Sequence, residues 1–240
     1  FEPAIDYVVA KVPRWPFDKF KSADRMLTTA MKSTGEVMAI GRTVEEAFKK
    51  ALRSLDTDMR RHTNPNEIRM TLTAPTDERF GCLFDAFREG FTVREVADLT
   101  SIAPFFLEKI KNIVDLERRL GTACNPGDIR AARRYGFSDE ELQALTGKTA
   151  DDIAALSGAP TYKMVDTCAA EFPATTPYFY STWEEECELT RNGAKKILIL
   201  GSGPIRIGQG IEFDYCTVHA VMALREEEGV EVHIINNNPE

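Results

Sequence analysis

Apolar residues change their spacing along this chain, and each change marks a different kind of element. Ile5-Asp6-Tyr7-Val8-Val9-Ala10-Lys11-Val12 is rich in β-formers, which predicts a strand ended by Pro13. Trp15-Pro16-Phe17 reads as a turn, and Lys32 to Gly41 as a turn followed by a short apolar segment. Residues 1–43 hold too little apolar surface for a core of their own, so they are expected to edge a larger sheet.

From Thr43 to about Ala159 the apolar positions take helical spacing. Val44, Ala47, Phe48, Ala51, Leu52 and Leu55 line one face, and Thr43 with Glu46 forms a capping box at its start. Thr92 with Glu95 and Ser138 with Glu141 repeat that device. Phe80, Leu83, Phe84 and Phe87 form a bulky stripe ended by Gly90. Pro104 opens a longer helix carrying Phe106, Ile110, Ile113, Val114 and Leu120, closed by Gly121. Gly136, Gly147 and Gly158 punctuate three shorter helices. With no strand pattern in this stretch, a compact all-α module is expected. The stripes Phe80–Phe87 and Phe105–Ile113 belong mostly to its core, and a remaining face suits self-association.

Residues Thr161 to Gly193 read as a connector. Tyr178-Phe179-Tyr180 makes it too aromatic to be loose, so it is expected to pack across a domain surface. After it, Lys195 to Leu200 predicts a buried strand and Gly201 to Gly210 a glycine-rich turn. A helix is predicted over Ile211–Glu228 and a second strand over Val230–Ile235. That is one βαβ unit, the opening of a doubly wound fold. It begins so near the last residue that the fold reads as started and then cut. The first residues, Phe1-Glu2-Pro3, carry no leader and look cut as well.

Composition narrows the partners. The 240 residues carry a net charge of −8 and a pI near 5.1, which argues against nucleic acid or an acidic membrane surface. No apolar stretch is long enough to span a bilayer. Cys82, Cys124, Cys168, Cys187 and Cys216 are odd in number and scattered, which fits ordinary thiols in a reducing cytoplasm. His62, His219 and His233 form no ligand cluster, so no metal site is expected from them.

The glycine turn is the main chemical candidate. Such a turn between strand and helix presents N–H groups to an anion. The dinucleotide fingerprint fails here, because Arg206 stands where the third glycine belongs and the second strand ends in Asn236. The phosphate loop of nucleotide hydrolases fails too, since Gly208 is followed by Gln209-Gly210 and not by lysine. An NAD-dependent dehydrogenase fragment therefore stands only as an alternative. What remains is a longer loop, Gly201, Gly203, Arg206, Gly208, Gln209 and Gly210, running into Glu212. Anion binding and tight packing explain it equally well from spacing alone.

Other residues have bland readings. Glu184-Glu185-Glu186 and Glu226-Glu227-Glu228 read as solvated helix faces. Cys168 and Cys216 have no evident activating base. Phe91 to Thr100 followed by Pro104 to Val114 has the outline of a helix-turn-helix DNA-binding module. Its second helix opens on Phe105-Phe106-Leu107, which offers no donor to base edges.

Four separated stretches carry a resemblance to one family. They are Phe1 to Val9, Met31 to Met38, Val165-Asp166-Thr167-Cys168-Ala169-Ala170-Glu171-Phe172, and Gly203 to Tyr215. In that order they resemble the carbamoyl-phosphate synthetase large chain. The resemblance implies a mixed fold: a central all-α helical domain flanked by an incomplete ATP-grasp tail and the first βαβ unit of a doubly wound pre-ATP-grasp domain. Residues 1–43 would end the first, carboxyphosphate half, residues 44–188 would form the helical oligomerisation domain and connector, and residues 189–240 would begin the second, carbamoyl phosphate half.

The resemblance also implies an ATP-dependent carbon–nitrogen ligase, using ATP with Mg2+ or Mn2+, in pyrimidine and arginine biosynthesis. Ammonia would come from a glutamine amidotransferase small chain or fused domain. A tunnel would join the sites, with Gly210 and Glu212 as candidates for lining it. The ATP and metal ligands of the family fall outside these residues, so no catalytic or metal residue is carried over. The fragment alone is expected to be inactive, to be cytoplasmic, and to associate through residues 44–160.

Overall fold

The computed structural model describes residues 1–55, 59–190, 192–201, 210 and 212–235, with the backbone alone for Glu212 and Phe213. Two antiparallel strands, β1 (Val8–Arg14) and β2 (Gly35–Gly41), come first, with Val8 opposite Gly41 and Arg14 opposite Gly35. The first strand does not stop at Pro13. That residue lies in the ladder opposite Glu36, and among the described residues β1 pairs with β2 alone, so the missing N–H is tolerated at a sheet edge. Nor does the strand start at Ile5. Ala4 donates its N–H to the carbonyl of Ala169 at 3.0 Å, and the Tyr7 hydroxyl donates to that of Asp166 at 3.1 Å, which draws this end toward the connector.

Helix α1 (Val44–Ser54) lies on the strand pair. Ala47 and Ala51 are fully buried against Ala10, Val12, Val37 and Ala39. This small core makes residues 1–43 more than an edge, because α1 covers one face of the pair. Gly41 permits the approach: a Cβ there would stand 2.9 Å from the Ala47 nitrogen.

Seven further helices follow: α2 (Pro65–Thr73), α3 (Arg79–Arg88), α4 (Val93–Thr100), α5 (Pro104–Ala123), α6 (Pro126–Arg134), α7 (Asp139–Thr146) and α8 (Ala150–Ser157). The predicted boxes at Thr92/Glu95 and Ser138/Glu141 are complete, and Asn125/Asp128 and Thr149/Asp152 add two more. At α1 only half of the box forms. Thr43 accepts from the Glu46 N–H, but the Glu46 carboxylate turns to the Arg42 N–H. The long helix α5 runs past Gly121 to Ala123. Burial of Leu116 and Leu120 on its inner face outweighs the roughly 1 kcal/mol that an interior glycine costs.

The core is one cluster centred on α3 and α5. Leu83, Phe87, Leu107, Ile110, Ile113 and Leu116 are each at most 2% exposed. Phe105 and Phe106 are corrections to the expected stripe, standing 53% and 46% exposed. They occupy the first turn of α5, which overhangs the corner with α4.

Gly136 ends α6 at φ +82°, and a Cβ there would lie 3.1 Å from the Glu46 carbonyl oxygen and 3.2 Å from Lys49 Cβ. Gly136→Ala should lose about 1–3 kcal/mol of stability in urea denaturation. An unchanged midpoint would show that the helix end can relax freely.

The connector contains a strand pair that the sequence did not signal: β3 (Thr161–Met164) runs antiparallel to β4 (Phe179–Thr182). At four residues each, these strands are too short for a clear alternation. The acid runs are not helical. Residues 184–186 follow β4, and residues 226–228 lie between the last helix and the last strand.

The last unit has the expected order, with β5 (Lys195–Leu200), α9 (Glu212–Arg225) and β6 (Val230–Ile235), the strands parallel and Leu200 opposite Ile235. Its first strand is not buried: Leu198 is 55% exposed and Leu200 77%. A continuous apolar strand is buried only when both sheet faces are covered, and here α9 is the element packed on the pair among the described residues. The coarse result is a helix-rich chain with three small two-stranded sheets among the described residues.

Candidate functional site

The structure frames the glycine loop at its two ends. Gly201 follows β5 and donates its N–H to the Ile235 carbonyl at 2.7 Å. Gly210 lies just before α9, whose first residue is Glu212. The described ends of the turn are thus the C-terminal end of β5, which pairs in parallel with β6, and the start of α9. Gly203, Arg206, Gly208 and Gln209 lie outside the described residues, as does Asn236.

A second constellation went unnoticed in the sequence. Helix α1 carries Glu45, Glu46, Lys49 and Lys50 in its first two turns, and together they tie it to α5, α7, β2 and β4. Glu45 accepts from the Asn112 amide of α5 at 2.9 Å, with Lys109 at 3.5 Å. Lys49 pairs with Glu141 of α7 and places its ammonium 4.1 Å from the Phe137 ring centroid. Glu46 is fully buried. Its Oε2 accepts from the Arg42 N–H at 2.7 Å and the Thr182 hydroxyl at 3.1 Å. The Lys50 ammonium sits 2.7 Å from Oε1 as an ionic contact without hydrogen-bond alignment.

Lys50 then joins the two sheets. It donates to the Ile40 carbonyl of β2 at 2.9 Å and to the Ser181 carbonyl of β4. Burial pulls the Lys50 amine below its ordinary range, against the opposing pull of Glu46. Arg42 closes the seam by reaching Asp6. Residues from the first strands, the helical module and the connector thus share one polar junction around the buried Glu46 carboxylate. The Glu46–Lys50 spacing was visible as a helix pair, but its burial depends on strands far away in sequence.

The connector is held to the helical module at Arg133 and braced within itself at Lys163. Arg133 stacks over the Trp183 ring at 4.6 Å and donates to Ser157, Phe137 and Asp139. Lys163, nearly buried, lies 3.0 Å from both Glu186 and Glu188. Burial works against its charge, yet these carboxylates hold its amine above the ordinary range.

A groove of about 410 Å³ lies between the first residues and the connector, lined by Asp6, Met164, Asp166 and Glu188 among others. Its carboxylates are already engaged. Asp6 meets Arg42, Glu188 meets Lys163 and the Met164 N–H, and Asp166 accepts from the Cys168 and Ala170 N–H groups at 2.8 Å. The Asp166 bonds brace Ala169 and Ala170, which sit at φ 50° and 61°.

Among the described residues, no three His, Cys, Asp or Glu side chains converge where they could hold a metal ion, and no helix is long and apolar enough to cross a membrane. Burial, with the carboxylates of Asp85, Glu67 and Glu78 nearby, pushes the Cys82 thiol up to about 12, so it is an inert core group. The helix-turn-helix outline exists as α4 and α5 joined at Ser101, but the first turn of α5 presents Phe105 and Phe106 outward.

Comparison with known proteins gives a consistent picture. Residues 36–160 match the family model described as carbamoyl-phosphate synthetase large chain, oligomerisation domain. Residues 193–240 match that of the carbamoyl phosphate synthase preATP-grasp domain. The carbamoyl phosphate synthase large chains of Methanoculleus marisnigri, Methanoregula boonei and Methanosphaerula palustris are 85%, 75% and 71% identical over all 240 residues. The chain spans 23% of the length of each of these relatives.

Proposed function

The chain belongs to the carbamoyl-phosphate synthetase large-chain family, and from that premise we propose that it is the central piece of such an enzyme. The whole protein would form carbamoyl phosphate from bicarbonate, glutamine-derived ammonia and two ATP in the cytoplasm, with a glutamine amidotransferase chain or domain as partner. The observation that carries this reading is the match of all 240 residues to large chains at up to 85% identity.

In this reading residues 1–43 end the first ATP-grasp half, residues 44–188 are the oligomerisation domain with its connector, and residues 189–240 begin the doubly wound pre-ATP-grasp domain of the second half. The loop from Gly201 to Glu212 would line the passage between active sites, where the absence of a side chain at Gly210 keeps the way open. ATP and Mg2+ are not fitted to the described residues, because no metal-holding cluster occurs among them. No catalytic step is assigned to them. Their work is positional: the Glu46–Lys50 seam supports a role in keeping the flanking halves in register, and the helical module supports self-association.

A chimera tests the reading. The large chain of Methanoculleus marisnigri carrying these 240 residues in place of its own segment should retain glutamine-dependent carbamoyl phosphate synthesis. The isolated chain should hydrolyse no ATP. A chimera that folds but makes no carbamoyl phosphate, or an isolated chain that turns over ATP, would overturn the proposal.

A further inference from the structure

The connector grips the chain entering β1 through a turn in costly backbone. Among the described residues three non-glycine residues have positive φ: Ser101, Ala169 and Ala170. Ser101 closes helix α4, where a left-handed residue is ordinary. Ala169 and Ala170 are adjacent, at φ 50° and 61°, and belong to no helix. A Cβ makes this conformation unfavourable at each position, whereas glycine would adopt it freely. Such strain persists only where the surroundings hold it in place.

The holding groups are few. Asp166 accepts from the Cys168 N–H through one carboxylate oxygen and from the Ala170 N–H through the other, both at 2.8 Å. In the turn so formed the Ala169 carbonyl accepts from the Ala4 N–H at 3.0 Å. At its base the Asp166 carbonyl accepts from the Tyr7 hydroxyl at 3.1 Å. The stem beneath is firm: the Val165 N–H donates to the Tyr178 carbonyl at 2.8 Å, and the Thr176 hydroxyl to the Val165 carbonyl at 2.9 Å. Little apolar surface covers the grip. Residues 1–6 are exposed, as are Ala170 to Pro173, so opening it forfeits hydrogen bonds and not core packing. Arg42 still holds Asp6 when it opens, which keeps the freed segment within reach of the turn.

We propose that the Ala169–Ala170 turn is a strained latch, closed on Ala4 by the Asp166 carboxylate and able to release it without unfolding the helical module. Closing stores the left-handed strain and release returns it, so the two states lie close in free energy. With glycine at both positions the turn would stay shut, and without the carboxylate it would stay open. The inference rests on the reading of residues 1–43 as the end of one catalytic half and of the connector as the approach to the other. In that reading the latch lets the chain leaving the first half shift against the connector during turnover.

Amide exchange in the chimeric large chain carrying these 240 residues reads the latch at the Ala4 N–H, in peptides spanning residues 1–9. Ala169→Gly together with Ala170→Gly should slow exchange there about three- to tenfold. Asp166→Asn should speed it about three- to tenfold, because the amide nitrogen offers no acceptor to one of the two N–H groups. Peptides of α3 and α5 should exchange unchanged in both variants, which verifies that they fold. The glycine pair should also slow carbamoyl phosphate synthesis at least about twofold. A merely structural turn, made more stable, would give no such loss. Exchange at Ala4 that ignores either variant, or that changes together with α3 and α5, overturns the latch. Slower exchange with undiminished synthesis overturns its release during turnover. A chimera inactive before any substitution overturns the proposed function instead, and the exchange results still decide the latch.

Discussion

Glu46→Ala should destabilise the chain by about 3–5 kcal/mol, the range for removing one partner of a buried charge pair. The carboxylate is fully buried and satisfies the Arg42 N–H and the Thr182 hydroxyl while neutralising Lys50. Without it the Lys50 ammonium remains between two carbonyls with its counter-charge gone, and a backbone donor loses its acceptor. Glu46→Gln should cost less, about 1–3 kcal/mol, because an amide oxygen still accepts from Arg42 but offers Lys50 no charge. Urea denaturation measures the loss. Amide exchange in β4 locates it, since Thr182 is anchored to helix α1 through this carboxylate. Loss under about 1 kcal/mol, or β4 exchange unchanged, would mean the seam does not bind the connector to the helical module.

Phe87→Ala should be comparably severe, about 3–5 kcal/mol, because a ring removed from a close-packed core leaves a cavity that neighbours only partly fill. Phe87 is 2% exposed on α3, in the cluster that includes Leu107, Ile113 and Leu116 of α5. Its carbonyl accepts from Arg118 at 2.7 Å, a bond the substitution leaves in place, so the effect isolates packing. Phe87→Leu should lose less than about half as much, since most of the volume stays. A fall in stability equal for Leu and Ala would point to lost aromatic geometry instead of volume, and a small fall for both would place the core elsewhere.

Local signals were the most legible. Thr92, Ser138 and Pro104 marked helix starts because a cap acts within four residues of itself. Gly136, Gly147 and Gly158 marked helix ends because left-handed backbone favours glycine. The parallel β5–α9–β6 unit was readable from an apolar run, a glycine turn and a second run. Misreadings came where distant chain decides. Pro13 stayed inside β1 because that strand is an edge, a fact of pairing and not of composition. Phe105 and Phe106 had core spacing yet project from the overhanging turn of α5. The β3–β4 pair escaped notice because four-residue strands carry too few alternations. At the candidate sites, the Gly201–Glu212 loop announced itself through glycine, while the α1 junction did not, since glutamate and lysine at helical spacing look the same on a wet surface.

The amino-acid order by itself determined most of the element types, several helix starts and ends, the glycine-bearing strand–helix turn and, through four ordered motifs, the family. These follow from backbone preferences and short-range hydrogen bonds, which need no knowledge of the rest of the chain. Tertiary structure alone decided which charges are buried. Glu46 and Lys50 became a junction only when β2, α1 and β4 converged and removed water from between them, for an ion pair gains its structural weight from the desolvation of its surroundings. It likewise decided that one aromatic stripe would fill the core while its first turn stood in solvent, because burial belongs to the packing of helices against each other and not to the periodicity of any one of them.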